Sequence, residues 1–434
     1  MKPRVIKNGR VVDPASGLDA RRDVLIEEGR IAAVDKTIER PDADLFDAAH
    51  LVVAPGFIDL HVHLREPGQE GAETIASGTE AAAAGGFTAV ACMPNTQPAN
   101  DTPMVTRYII GQAAQTARVR VYPIGAVTKG NAGEELAELE SLRAAGVVAL
   151  SDDGRPVGNT RILRRALEYC RTLDLPLIDH CEDPHLAAGG VMHEGEWSLR
   201  LALRGIPALA EELPVMRNVR LAALTGARVH IAHLSTRGAL EAIRRAKQQG
   251  VRVTCEVTPH HFTLTDEACR NYDTRAKMNP PLRGPKDVAA LVEALADGTV
   301  DAIASDHAPH PQAEKQRDFE SAPFGVIGLE TALGLALEKL YHTGKISLVR
   351  LVELLSTHPA RILGIAGGRL KVGAPADITI FSPERPWTYR AADGLSKSRN
   401  SPFDGWSFRG GPVATLVNGQ IVFRGSLVGQ RTLR

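Results

Sequence analysis

The chain has 434 residues, with 51 basic and 51 acidic side chains and 44% hydrophobic content. That length suits one large barrel plus a smaller accessory domain, and the balanced charge supplies no basic surface for nucleic acid or a membrane. No run of about 20 apolar residues forms a membrane span. Met1-Lys2-Pro3-Arg4-Val5-Ile6-Lys7 lacks the apolar core of a signal peptide, so a cytoplasmic protein is expected. Cys92, Cys170, Cys181, Cys255 and Cys269 form no Cys-x-x-Cys pair and read as reduced thiols rather than a disulfide framework.

Residues 1–54 carry short β patterns: Arg4-Val5-Ile6-Lys7, Arg10-Val11-Val12, Asp23-Val24-Leu25-Ile26 and Arg30-Ile31-Ala32-Ala33-Val34. Asn8-Gly9 and Glu28-Gly29 predict hairpin turns between them. Apolar strand patterns then alternate with helical ones, the rhythm of a parallel α/β fold. Eight strands are expected to end near His63, Pro94, Val127, Asp153, His180, His233, Thr258 and Asp306, with helices over 73–84, 160–173, 238–249 and 285–296. The fold class is therefore a (β/α)8 TIM barrel, expected over 55–363. The loop 308–325, with Pro309, Pro311 and Pro323, is a candidate lid. Strand-turn-strand text returns at Asp377-Ile378-Thr379-Ile380-Phe381 and from Thr415 to Phe423 through Asn418-Gly419. Residues 1–54 and 364–434 would thus share one small, discontinuous β-sandwich domain.

Six residues follow these strands: His61, His63, Asp153, His180, His233 and Asp306. Strand ends on the C-terminal face are where such barrels carry their chemistry. In Phe57-Ile58-Asp59-Leu60-His61-Val62-His63 the two histidines are two positions apart, so on a regular strand they face one way and can share an ion. A lone His-x-His is more often structural than a ligand; four further candidates at later strand ends reverse that balance. His and carboxylate donors suit Zn²⁺, one or two ions. A bound zinc ion lowers the pKa of water from 15.7 to roughly 7. Asp306 is placed to ligate and to carry a proton as general acid/base. At the end of strand four, alternation favours Asp153 over its neighbour Asp152 without deciding between them. Arg65, two residues past His63, faces the same mouth and can hold a carboxylate through paired charge-assisted hydrogen bonds.

Ala54-Pro55-Gly56-Phe57-Ile58-Asp59-Leu60-His61-Val62-His63-Leu64-Arg65-Glu66-Pro67-Gly68 resembles the opening motif of the cyclic-amide branch of the amidohydrolase superfamily. Its Arg65-Glu66-Pro67-Gly68 tail is similar to class I bacterial dihydroorotases in particular. Further matches, in family order, are Met93-Pro94-Asn95-Thr96, Ser151-Asp152-Asp153-Gly154, Asp179-His180-Cys181-Glu182, His233-Leu234-Ser235-Thr236, Lys277-Met278-Asn279-Pro280-Pro281-Leu282-Arg283, Ser305-Asp306-His307-Ala308-Pro309-His310 and Pro323-Phe324-Gly325. The resemblance implies reversible cyclisation of N-carbamoyl-L-aspartate to L-dihydroorotate in pyrimidine biosynthesis. It also implies a bridging or ligating role for Asp153, and substrate contacts from Arg65, Asn95, Asn279, His310, Pro323, Phe324 and Gly325. A homodimer and association with aspartate carbamoyltransferase are implied in the same way. His260, His261 and His307 are left as supporting or structural groups.

Two alternatives stand beside this reading. Hydantoinases and many allantoinases carry a lysine at the end of strand four, where this chain has Leu150-Ser151-Asp152-Asp153-Gly154. A neutral hydantoin would also leave Arg65 without a partner, and an unpaired buried charge costs several kcal/mol. A catalytically silent scaffold subunit would be expected to have lost ligands, and all six are present.

Overall fold

The computed structural model describes residues 2–425 and 431–432. Residues 1, 426–430 and 433–434, at the two ends of the expected terminal domain, lie outside the described residues. Eight parallel strands run in sequence order: Phe57–Val62, Phe87–Cys92, Arg120–Ala126, Ala149–Ser151, Leu177–Asp179, Val229–Ile231, Val253–Val257 and Ala302–Ile303. The ring closes where Val62 bridges His307 and the His63 N–H donates to the His307 carbonyl at 2.9 Å. The strands end where the apolar runs predicted.

Local sequence explains the helices. Thr160–Leu173 begins where the Asn159 side chain accepts the N–H groups of Arg161 and Ile162, and it ends at Asp174 in the left-handed region. Its buried residues Leu163, Ala166, Leu167 and Cys170 recur at helical spacing and form one apolar stripe. Ile75–Gly85, Arg237–Gln248 and Pro285–Asp297 fall close to their expected places. Outward strand residues such as Val90, Leu150 and Val257 pack with these helices in one large core. Inward residues, mostly small (Ile58, Ala89, Ala91, Ala149, Ile178, Ala232, Ala302), meet Ala360, Ile362 and Leu363 of helix His358–Leu363. The barrel interior is thus a packed plug beneath the C-terminal mouth.

Strand Val52–Pro55 pairs in parallel with Arg10-Val11 on one side and antiparallel with the strand beginning at Ile378 on the other. Both ends of the chain therefore share one nine-stranded sheet with its own core, including Ile6, Val24, Val53, Ile378 and Leu416. Glu28-Gly29 and Asn418-Gly419 are turns, as expected. Asn8-Gly9 is not: it lies inside one ten-residue strand, Arg4–Asp13, as a bulge. Asn8 takes a φ of 66° and its N–H donates to Asp23 Oδ1 at 2.9 Å, a buried acceptor that holds the chain extended past the kink. Among the described residues no helix is long and apolar enough to cross a membrane.

Candidate metal centre

The structure brings all six strand-end residues together. His61 Nε2 lies 3.3 Å from Asp153 Oδ1 and 3.5 Å from Asp306 Oδ1. His63 Nε2 lies 3.1 Å from Asp306 Oδ1 and 3.6 Å from Asp153 Oδ2. His180 Nδ1 and His233 Nε2 each stand 3.7 Å from Asp153 Oδ1 and 2.9 Å from one another. Two overlapping groups have the spacing of an ion site: His61 with Asp153 and His233, and His61 with His63 and Asp306. His61 Nε2 and Asp153 Oδ1, which face each other in the cluster, are buried without a hydrogen-bond partner. Buried polar atoms normally have partners, so these orphans fit a cation between them, and the nitrogen-and-oxygen donor set suits zinc.

Regular alternation does not account for this convergence. A register shift against strand two lies between Asp59 and Val62, so Leu60 in the interior plug and His61 in the cluster both face inward. Bulges beside sites re-aim side chains in this way. Arg65, His233 and Asp306 have φ of 61°, 32° and 45°, a conformation costly for side chains other than glycine and common where a site dictates the backbone.

Asp152 and Asp153 part company. Asp152 Oδ1 accepts the N–H groups of Val127 at 2.8 Å and Thr128 at 3.1 Å, and its other oxygen takes the Thr128 hydroxyl. Burial pushes its carboxyl up to about 6. Burial would raise Asp153 and Asp306 too, but His61 and the neighbouring histidines outweigh it and hold both well below the usual carboxylate range. Cys181 turns away and donates to Asp179 Oδ2 at 3.3 Å. All five cysteines are buried and free.

Glu256, inside strand seven, was not singled out from sequence. Its carboxylate meets His61 Nδ1 and His230 Nε2, each at 3.0 Å, beneath the cluster. Burial opposes its charge, yet bonds from His230 and His61 prevail and draw it to about 2. The available signal was a glutamate in the apolar run Val253-Thr254-Cys255-Glu256-Val257, a charge that must find a buried partner.

At the mouth, Arg65 Nε donates to the Pro309 carbonyl at 3.2 Å and its Nη2 lies 3.4 Å from His310 Nε2. Among the described residues no carboxylate comes within ion-pair distance of Arg65. Burial and the Arg65 charge pull His310 down to about 3, so it is neutral. Asn95 is already engaged: Oδ1 accepts from His63 Nδ1 at 2.9 Å and Nδ2 reaches Asp153 Oδ2 at 3.4 Å. It therefore fixes the His63 tautomer as well as facing the site. Asn279 Nδ2 donates to Glu182 Oε2 at 2.9 Å, while its buried Oδ1 has no partner. Pro323, Phe324 and Gly325 lie in the segment beside His310, where a Cβ on Gly325 would meet His310 Nε2 at 2.8 Å.

The remaining histidines take supporting places. His307 Nδ1 accepts the Gly328 N–H at 3.3 Å and Nε2 faces Glu73 at 3.2 Å, away from the cluster. His261 joins Thr258 and the Pro280 carbonyl. His260 is buried with Nε2 unpartnered.

A parallel barrel with buried His and Asp side chains at its strand ends, plus a sheet built from both termini, has close likenesses among solved structures. The L-hydantoinase (dihydropyrimidinase) of Arthrobacter aurescens superposes with a TM-score of 0.89 at 27% identity, over 99% of this chain and 98% of that one. The dihydropyrimidinase of Brevibacillus agri NCHU1002 gives 0.86 at 25% identity, over 97% and 95%. Fold and site together define a hydrolase of the cyclic-amidohydrolase class. Within it, a family model described as dihydro-orotase-like matches residues 50–239. The dihydroorotase of Solibacter usitatus is 57% identical over 96% of this chain and 97% of that protein, and that of Syntrophotalea carbinolica 54% over 97% and 99%. The chain belongs to the dihydroorotase family.

Proposed function

We propose that this enzyme interconverts N-carbamoyl-L-aspartate and L-dihydroorotate, with His61, His63, Asp153, His180, His233 and Asp306 holding one or two Zn²⁺ ions. The observation that carries the substrate assignment is Arg65: a guanidinium with no carboxylate partner among the described residues, beside a neutral His310, at the edge of the six-residue cluster. Such a guanidinium calls for an anionic substrate group, which both proposed substrates carry and hydantoin lacks. When bound, the metal supplies Lewis-acid polarisation of the reacting carbonyl and a nucleophile at neutral pH.

This chain's residues supply the rest. Arg65 and His310 hold the carboxylate that does not react. Asn279 offers its unpartnered Oδ1 to a ring N–H. Asp306, ionised and 3.1 Å from His63 Nε2, takes a proton during ring opening and delivers it to the departing ring nitrogen as the amide bond breaks; cyclisation reverses the transfer. Asn95 keeps the proton of His63 on Nδ1, leaving Nε2 free to ligate.

Ring opening of L-dihydroorotate, with hydantoin and allantoin as controls, on metal-replete and chelated enzyme tests this reading. Turnover of L-dihydroorotate alone, lost on chelation and restored by zinc, is expected; preference for hydantoin overturns it. A homodimer and association with aspartate carbamoyltransferase rest on the family resemblance, and light scattering with and without that enzyme tests both.

A further inference from the structure

Two lysines, Lys277 beneath the loop that the sequence presents as a candidate lid and Lys315 within it, pin that loop. Lys277 and Lys315 are 2% and 5% exposed. Among the described residues neither has a carboxylate at ion-pair distance; their partners are backbone carbonyls. Lys277 Nζ donates to Phe319 at 2.7 Å, Glu320 at 3.0 Å and Ala322 at 2.7 Å. Lys315 Nζ donates to Pro323 at 2.9 Å, Gly325 at 3.1 Å and Lys277 at 3.4 Å. The Gly325 N–H returns to the Lys277 carbonyl at 3.0 Å, and the Phe324 ring lies 4.6 Å from the Lys277 ammonium. Lys277 thus turns three loop carbonyls inward, and Lys315 joins two loop carbonyls to that of Lys277.

Burying two amines without a counter-charge is costly, and burial with Lys277 beside it pulls Lys315 down to about 7, so the arrangement points to a role beyond filling space. The pinned segment borders the carboxylate site. Gly325 packs against His310, His310 reaches Arg65 at 3.4 Å, and Asn400 ties the Ala308 and Gly325 carbonyls and the His310 N–H together.

We propose that Lys277 and Lys315 are positioning residues for substrate: they anchor residues 319–325 so that His310 and Arg65 are set before the substrate carboxylate arrives, and this segment does not open as a lid. The inference rests on the dihydroorotate reading above. Preorganisation acts on affinity rather than on the chemical step.

The test is Lys315→Met, with Lys277→Met as a second variant, assayed on zinc-loaded protein. KM for L-dihydroorotate is expected to rise at least about tenfold with kcat within about threefold and zinc content unchanged. A merely structural role would lower the melting temperature without moving KM, and a KM within about twofold of wild type in both folded variants overturns the proposal. Hydrogen exchange on the unmodified enzyme needs no variant: the Gly325 amide is expected to be as protected as the barrel strands, and exchange at the rate of unstructured chain overturns the anchor. If unmodified enzyme fails to open L-dihydroorotate, the functional reading falls, while exchange still judges the anchor.

Discussion

Glu256 Oε1 lies 3.0 Å from His61 Nδ1, fully buried below the candidate metal centre. The carboxylate is charged and can only accept, so His61 Nδ1 carries a proton and Nε2 is the nitrogen turned toward Asp153 and Asp306. His230 shares the second oxygen at 3.0 Å and stops the carboxylate from turning. An outer carboxylate of this kind sets ring orientation and raises ligand basicity.

Glu256→Gln keeps the shape but presents an N–H₂ to at least one imidazole N–H. Zinc affinity, measured by chelator competition, is expected to fall about 10- to 100-fold. Unchanged affinity would mean that His61 is oriented by its ligand contacts alone.

Arg65→Met removes the charge and keeps the bulk. It should lower kcat/KM for L-dihydroorotate by about 10⁴, with metal content intact, because a site built for a charged partner loses heavily without it. Near-normal kinetics would place the substrate carboxylate elsewhere.

Asp306→Asn retains an oxygen donor and removes the base. A loss of at least about a hundredfold in kcat is expected in both directions, since acid–base catalysis contributes 10² to 10⁴ and one group serves each way. If zinc stays bound and kcat drops less than about tenfold, Asp306 only ligates. His307, held by Gly328 and Glu73, is then a poor substitute, and the buried unpartnered Nε2 of His260 becomes the group to examine.

Cyclisation removes one carboxylate charge and takes up one proton. Over the neutral range the equilibrium ratio of N-carbamoyl-L-aspartate to L-dihydroorotate should rise about tenfold per pH unit. Chromatography of equilibrated mixtures at two pH values gives the ratio, and an unchanged ratio refutes the assigned reaction.

Acid should also weaken the fold through two half-buried histidines outside the cluster. Burial, aided by Arg283 for His193 and by Arg65 for His310, lowers them to about 4 and about 3. Their unfolded value is about 6.5, so between these limits the unfolded chain binds more protons than the native one. Their contribution is complete above about pH 6.5 and is lost as pH falls through that value toward 4 and below. The urea midpoint should drop from about pH 7 to pH 5, and His193→Gln should flatten part of the drop. A midpoint that climbs on acidification contradicts this account.

The order of elements was written in the sequence because it depends on local periodicity. The buried stripe and Asn159 cap define Thr160–Leu173, and each barrel strand is a short apolar run ending in a chemically distinctive residue. The six strand-end residues were legible for the same reason: a parallel barrel gathers its C-terminal strand ends whatever lies between them. Tertiary structure alone decided the rest. Asp152 and Asp153 are adjacent and alike, and only the Val127 and Thr128 donors of the neighbouring strand capture the first and leave the second to the cluster. Asn8-Gly9 has turn chemistry, but Asp23 and the register of a long strand made it a bulge. Glu256, Lys277 and Lys315 are polar residues at positions where sequence gives no distance to a partner. Their partners are 195 residues away for His61 and 42 to 45 for the loop carbonyls held by Lys277, and such contacts exist only once the barrel has closed.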